Sequence, residues 1–248
     1  MNVYLNEITG IADAITTMYM SKRTHTRELE ERIRRVCHCV LNENGFLEQS
    51  DYEKEVYAEM NKEFDEYMSK LVKWGTKHIT MLRFVDFSCT VEGLHRADQD
   101  DWDAHAMRFN NRIIRASTRL ATFDGDEISD YYKGKILPMD SAISVDPSLF
   151  HVPDSIVVDG ETYVRSTNGY IREDLKDNKD VKRGLYMECI PSKFIFKCNI
   201  TEFAHVFKER NIDSGANPEV KELCERIVAQ ITAKIPYFTR EMFEKIEQ

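Results

Sequence analysis

Arg108, Arg112, Arg115 and Arg119 stand in the stretch RFNNRIIRASTR, at offsets of four, seven and eleven from the first, in a chain of formal net charge -9. On a helix these offsets fall on one narrow stripe. Guanidinium groups repel one another, and no carboxylate stands between Arg108 and Arg119. A phosphate, which takes bidentate bonds from guanidinium, best stabilises such a stripe. The segment is therefore a candidate nucleotide site. An equally open reading pairs the arginines with Asp98, Asp100, Asp101 and Asp103, just upstream in RADQDDWD. Ile113, Ile114, Ala116 and Leu120 supply an apolar opposite face, so the segment reads as packed rather than as a free basic arm.

A second constellation, Asn199, His205 and Arg210, occurs in NITEFAHVFKER at offsets of six and then five. As a bare pattern it fits a polar helix surface as well as a site. Cys37, His38 and Cys39 are adjacent and lack the ligand spacing of structural zinc sites, so they read as part of a packed helix. His95 and His105 read as surface or hydrogen-bonded residues. No Ser-His-Asp or Cys-His set has a context that supports nucleophilic catalysis. No glycine-rich phosphate loop is present, so nothing supports an ordinary dinucleotide or P-loop fold.

These side chains need a scaffold. Helical periodicity runs through RELEERIRRVCHCVL and YEKEVYAEMNKEFDEYMSKLVKW, with Gly45 marking the turn between them. A strand-like run follows, ITMLRFVDFSCTVEG. After the arginines the composition becomes loop-like, with strand candidates at Ser155 to Val158 and Thr162 to Val164, as in an inserted hairpin. The alternating run LYMECIPSKFIFKCNI then leads into two helical segments, TEFAHVFKERN and PEVKELCERIVAQITAKIPYF, with Pro218 suited to a first helical turn. Helices, strand, helix, strands, helices is an α+β order rather than a βαβ repeat. The expectation is one domain over residues 1–248, with a helical N-terminal part, 1–77, and an insertion, 124–184.

With 248 residues, 42% of them hydrophobic, the chain can bury a sizeable core. Its negative charge disfavours general affinity for nucleic acid or an anionic membrane, while a small anionic ligand in a local basic pocket remains compatible. No stretch has the length of a membrane span, and the six cysteines contain no CxxC pair. Both point to a cytoplasmic protein with reduced thiols.

The passage CNITEFAHVFKERNIDSGANPEVKELCERIVAQITAKIPYF resembles the flavin-dependent thymidylate synthase family, in which an Asn, a His or Asn six residues on and an Arg five further on precede a loop and a helix opening Ala-Gln-Trp-Glu-Ile-Arg. Here Ala216 to Lys221 stand in the last place. Upstream, FSCTVEGLHR looks like the strand before the family signature, and RASTR ends like its Ser-x-Arg. The resemblance covers roughly Phe87 to Arg119 and Leu185 to Phe238. It implies a central, mostly antiparallel sheet flanked by long helices. It further implies that Ser117 and Arg119 bind the phosphate and sugar side of dUMP, and that Arg210 is a catalytic residue that contacts and polarises the uracil. Asn199 and His205 are implied to contact FAD. Arg108, in the place of the signature's first arginine, is assigned to nucleotide and flavin together. NADPH and methylenetetrahydrofolate are the implied co-substrates, in a homotetramer whose active sites lie between subunits. Where the signature reads Arg-His-Arg this chain has Arg108, Phe109 and Asn110. That departure keeps two other readings open: a flavin enzyme for another pyrimidine nucleotide, and a non-catalytic nucleotide-binding homologue.

Overall fold

The computed structural model describes residues 1–41, 51–106, 112–115, 129–131, 146, 152–166, 168–178, 185, 189–212 and 217–246, with the backbone alone for 51, 52, 104–106, 112, 113 and 115. The chain opens on strand β1 (Asn2–Thr9), where the sequence reading places the helical N-terminal part. Val3 is buried and Tyr4 exposed, the two-residue alternation of a strand covered on one face. Gly10 then turns the chain at a φ of 81°, and a Cβ there would lie 1.7 Å from the Phe84 carbonyl oxygen. Only glycine makes this turn into α1 (Ile11–Ser21).

The two long periodic runs form α2 (Arg27–Leu41) and α3 (Asp51–Gly75). Ile33, Val36 and Cys37 on α2 and Phe64, Met68 and Leu71 on α3 are buried at three- and four-residue spacing, which gives each helix one apolar stripe. Arg32 Nη2 donates to Glu63 Oε2 at 2.7 Å across the pair. The Gly45 turn lies outside the described residues. The following apolar run begins with a 3-10 turn at Leu82–Phe84 and becomes β2 (Asp86–His95) only afterwards.

β2 runs directly into α4 (Arg96–Ala106), and β3 (Arg112–Arg115) follows. Within the predicted insertion, β4 (Ser155–Val158), β5 (Glu161–Ser166) and β6 (Gly169–Arg172) form an antiparallel sheet in that order. Asp159 and Gly160 join β4 to β5 at φ values of 50° and 81°, as an Asp-Gly hairpin turn requires. β7 (Pro191–Asn199) buries Ser192, Phe194, Phe196 and Cys198 and turns Lys193, Ile195 and Lys197 outward. The second sheet has the order β1-β2-β7-β3.

The C-terminal part contains α5 (Ile200–Phe207), a π-helical turn (Lys208–Ile212), α6 (Pro218–Lys234) and α7 (Arg240–Lys245). By contacts the chain divides into a unit of Met1–Asn2, Thr90–Ala106 and Ile113–Ile195, and a second of Val3–Cys89, Met107–Arg112 and Phe196–Gln248. The second unit is built on a phenylalanine cluster in which Phe203 meets Phe87 and Phe243 edge-on, each at 5.3 Å between centroids. Such contacts add to the burial of the rings. Among the described residues no helix is long and apolar enough to cross a membrane.

Candidate active site

The end of β7 places the second constellation. Asn199 leaves the strand with extended backbone and caps α5: its Oδ1 accepts from the Thr201 and Glu202 amides at 3.0 and 2.9 Å and from the Thr201 hydroxyl at 2.6 Å. Glu202 reciprocates, its Oε2 accepting from the Asn199 amide at 3.2 Å to complete a capping box. The Ile200 amide donates to the Val85 carbonyl at 2.9 Å, which fixes the start of the helix. Asn199 is therefore a structural cap first. Its committed Oδ1 leaves the Nδ2 donor as the group that can meet a ligand.

His205 lies half-buried on the last turn of α5. Six helical residues advance about 9 Å and leave the end positions about 120° apart, so Asn199 and His205 suit different parts of one large ligand rather than a single point. FAD is such a ligand: its ring carbonyls and nitrogens match neutral donors of the amide and imidazole kind. In that respect the residues present fit the group.

Arg210 sits in the π-helical turn, half-buried, where the backbone departs from the α-helical register, a feature often found at functional positions. It stands close to Cys224 of α6. Burial pushes that thiol well above its ordinary value, helped by the Glu225 carboxylate, and the Arg210 guanidinium acts in the opposite direction. Beyond the turn Asn217 caps α6, accepting from the Glu219 amide at 3.3 Å, and Pro218 takes the first helical position, as the sequence predicts. Glu219, in the first turn, is buried.

The arginine stripe needs correction. Residues 112–115 form a strand, so the 3.6-residue period behind a single stripe does not apply to Arg112 and Arg115. Two isoleucines side by side in RIIR favour that pleated conformation. Arg108, Ser117 and Arg119, assigned to the nucleotide, lie outside the described residues.

Sequence reasoning missed the polar inner face of α4. Of the two readings of His95, surface or hydrogen-bonded, the structure keeps the second: it is fully buried, its Nε2 lies 3.1 Å from Asp98 Oδ1 and its ring stacks on Tyr131 at 5.7 Å. Gln99 is also fully buried, and among the described residues neither atom of its amide makes a hydrogen bond. The spacing of 95, 98 and 99 carries the signal, since i, i+3 and i+4 form one helix face. A separate cavity of about 290 Å³ is lined by Gly10, Arg34, Cys37 and His38, but Arg34 is already paired with Asp13 at 2.8 Å and Glu30 at 3.0 Å.

Comparison with known proteins bears on what these parts are. Residues 23–237 match the family of the thymidylate synthase complementing protein. No curated protein sequence matches the chain. A structure of thymidylate synthase X (ThyX) from Helicobacter pylori with FAD and dUMP is 12% identical, with a TM-score of 0.52 over 98% of this chain and 100% of that one. Another of flavin-dependent ThyX from the same organism, also with FAD and dUMP, gives 12% and 0.56 over the whole of both chains. A UMP/dUMP methylase, PolB, from Streptomyces cacaoi bound with 5-Br dUMP gives 11% and 0.53 over 98% of this chain and 93% of that one. At such identity the likeness establishes the fold, which is α+β as the element order predicts. The family match takes in both the β2–α4 segment and the Asn199-His205-Arg210 passage, and by it the chain belongs to the flavin-dependent thymidylate synthase family.

Proposed function

We propose that this protein is a flavin-dependent thymidylate synthase that reductively methylates dUMP to dTMP, taking the one-carbon unit from methylenetetrahydrofolate and reducing equivalents from NADPH. The observation that carries the reading is Arg210, held in a π-helical turn between a capped helix and α6, in a chain whose family match spans that segment. Asn199 and His205 would hold FAD, which supplies hydride transfer when bound. Arg210 would meet the uracil and stabilise negative charge developing on the ring, the task for which a guanidinium in a partly buried place is suited. Ser117 and Arg119 would take the phosphate and sugar, with Arg108 beside nucleotide and flavin. Cys89, Cys198 and Cys224 are poor nucleophiles, because burial pushes Cys89 up to about 12 and the other two well above their ordinary values. A homotetramer acting in the cytoplasm completes the proposal.

A related specificity has its own support: a UMP/dUMP methylase shares the fold, and Phe109 and Asn110 replace the signature's His-Arg. The deciding experiment supplies the full chain with FAD, NADPH and methylenetetrahydrofolate and follows product from dUMP and from UMP. Formation of dTMP, lost in Arg210→Ala, supports the synthase. Methylation of UMP in preference moves the assignment to the second specificity. Nucleotide binding without turnover on either substrate leaves a non-catalytic homologue and overturns both.

A further inference from the structure

Arg210 is half-buried and follows two helical turns whose register changes just before it, so something must fix its direction. The next residue supplies a mechanism. Asn211 donates from Nδ2 to the Lys221 carbonyl at 3.2 Å and to Glu225 Oε1 at 2.9 Å, both on α6. Glu225 Oε1 in turn accepts from Arg240 Nη1 on α7 at 2.5 Å. Arg240 is itself oriented, with Nε donating to Glu244 at 2.8 Å and its guanidinium 5.6 Å from the centre of the Phe207 ring.

We propose that Asn211 is the positioning residue for Arg210, a carboxamide clamp that holds the π-helical turn on α6, with the Glu225–Arg240 pair holding the clamp. The proposal rests on the reading that Arg210 meets the pyrimidine. A π-turn contains one residue more than the α-helical turn it replaces. If it relaxes to the α register, the residue at this point of the helix rotates by about 100°, which takes Arg210 away from its direction. Asn211 opposes that relaxation at the adjoining position, because its two acceptors belong to a different helix. The amide is required for its donor: a carboxylate at this position has no proton to give and faces the Glu225 carboxylate as a like charge. The outer pair matters because Arg240 draws the same Glu225 oxygen that Asn211 uses, and so fixes where it stands.

The test compares the full-length protein with Arg210→Ala, Asn211→Asp, Asn211→Asp combined with Glu225→Gln, and Arg240→Gln. For each, dUMP affinity, kcat and melting temperature are measured. Asn211→Asp is expected to lose about tenfold to a hundredfold in kcat/KM, the scale on which a displaced catalytic group is felt. In the double variant the amide introduced by Glu225→Gln can donate to the new carboxylate, so that contact re-forms with its polarity reversed while the bond to the Lys221 carbonyl does not, and part of the loss returns. Arg240→Gln is expected to lose a few-fold in the same parameter. A stability effect alone would lower the melting temperature without this recovery of kcat/KM. Wild-type kinetics in Asn211→Asp, or failure of the double variant to recover, overturns the clamp. Should Asn211→Asp not fold, Arg240→Gln decides, and unchanged kinetics there overturns it. Wild-type dUMP affinity and kcat in Arg210→Ala is a separate failure, that of the reading on which the clamp rests.

Discussion

Gln99 shows what a single side chain can disclose. A buried amide with no bond among the described residues loses its hydration and gains nothing in return, a cost of about 1–3 kcal/mol. Gln99→Leu, close to it in size, is expected to raise the melting temperature of the ligand-free protein by a few degrees, roughly 2–4 °C per kcal/mol for a chain of this length. Differential scanning calorimetry without ligand checks this, and an unchanged or lower melting temperature would show that the amide is bonded in solution. The thiols make a second residue-scale prediction. Cys37, Cys89, Cys189, Cys198 and Cys224 are buried, and Cys39 is half-buried. Burial holds Cys37 and Cys89 up at about 12, so at neutral pH their thiolate fraction is negligible. Ellman's reagent at about pH 7.5, below the ordinary thiol range, is expected to titrate no more than one thiol on mixing, and a rapid burst of two or more would contradict that burial.

At the scale of elements, Asn199 is a helix cap and, in the proposed function, a contact to FAD as well, and the two roles can be separated. Asn199→Ala removes the acceptor and is expected to cost about 1 kcal/mol of stability. Asn199→Asp keeps an oxygen for the Thr201 and Glu202 amides and loses only the Nδ2 donor, so its stability should stay within a few tenths of a kcal/mol while FAD affinity falls. Denaturation and flavin titration of the two variants read this directly, and equal FAD affinity in Asn199→Asp and wild type would leave Asn199 as a cap alone. The alternation of Ser192, Phe194, Phe196 and Cys198, the hairpin strands that begin at Ser155 and near Thr162, and Pro218 were legible in the sequence, because each depends on local periodicity or local backbone geometry. The strand at Arg112–Arg115 was not, since two isoleucines between arginines fit either period and four residues are too few to choose. Nor was the π-helical turn. Its extra residue leaves no mark in composition, and the partners that hold Asn211 lie 10 and 14 positions away.

The second unit as a whole has a pH range set by the ties between its helices. Glu63 of α3 is driven upward by burial, but hydrogen bonds from Arg32 and Tyr67 outweigh this and leave it below its ordinary value of 4.5. A depressed carboxylate contributes stability that is complete above its unfolded value and is lost as the pH falls through the folded one. Tyr237 has the opposite sign: burial, with the bond to Asp65, raises the phenol from 10.0 to about 12. Its contribution is complete below pH 10 and disappears between there and about 12. Tyr67 is raised for the same reasons, burial first and then Glu63. Melting temperature is therefore expected to be flat through the neutral range and to fall on both sides. Arg32→Met separates the acid limb from general titration of the surface. Because the pair is partly exposed, the loss near neutral pH should be about 1 kcal/mol. Without the guanidinium, burial becomes the larger influence on Glu63 and its value moves up, so acidification should remove less stability from the variant than from wild type. Two melting curves against pH give the answer, and parallel acid limbs would assign that limb to other carboxylates than Glu63.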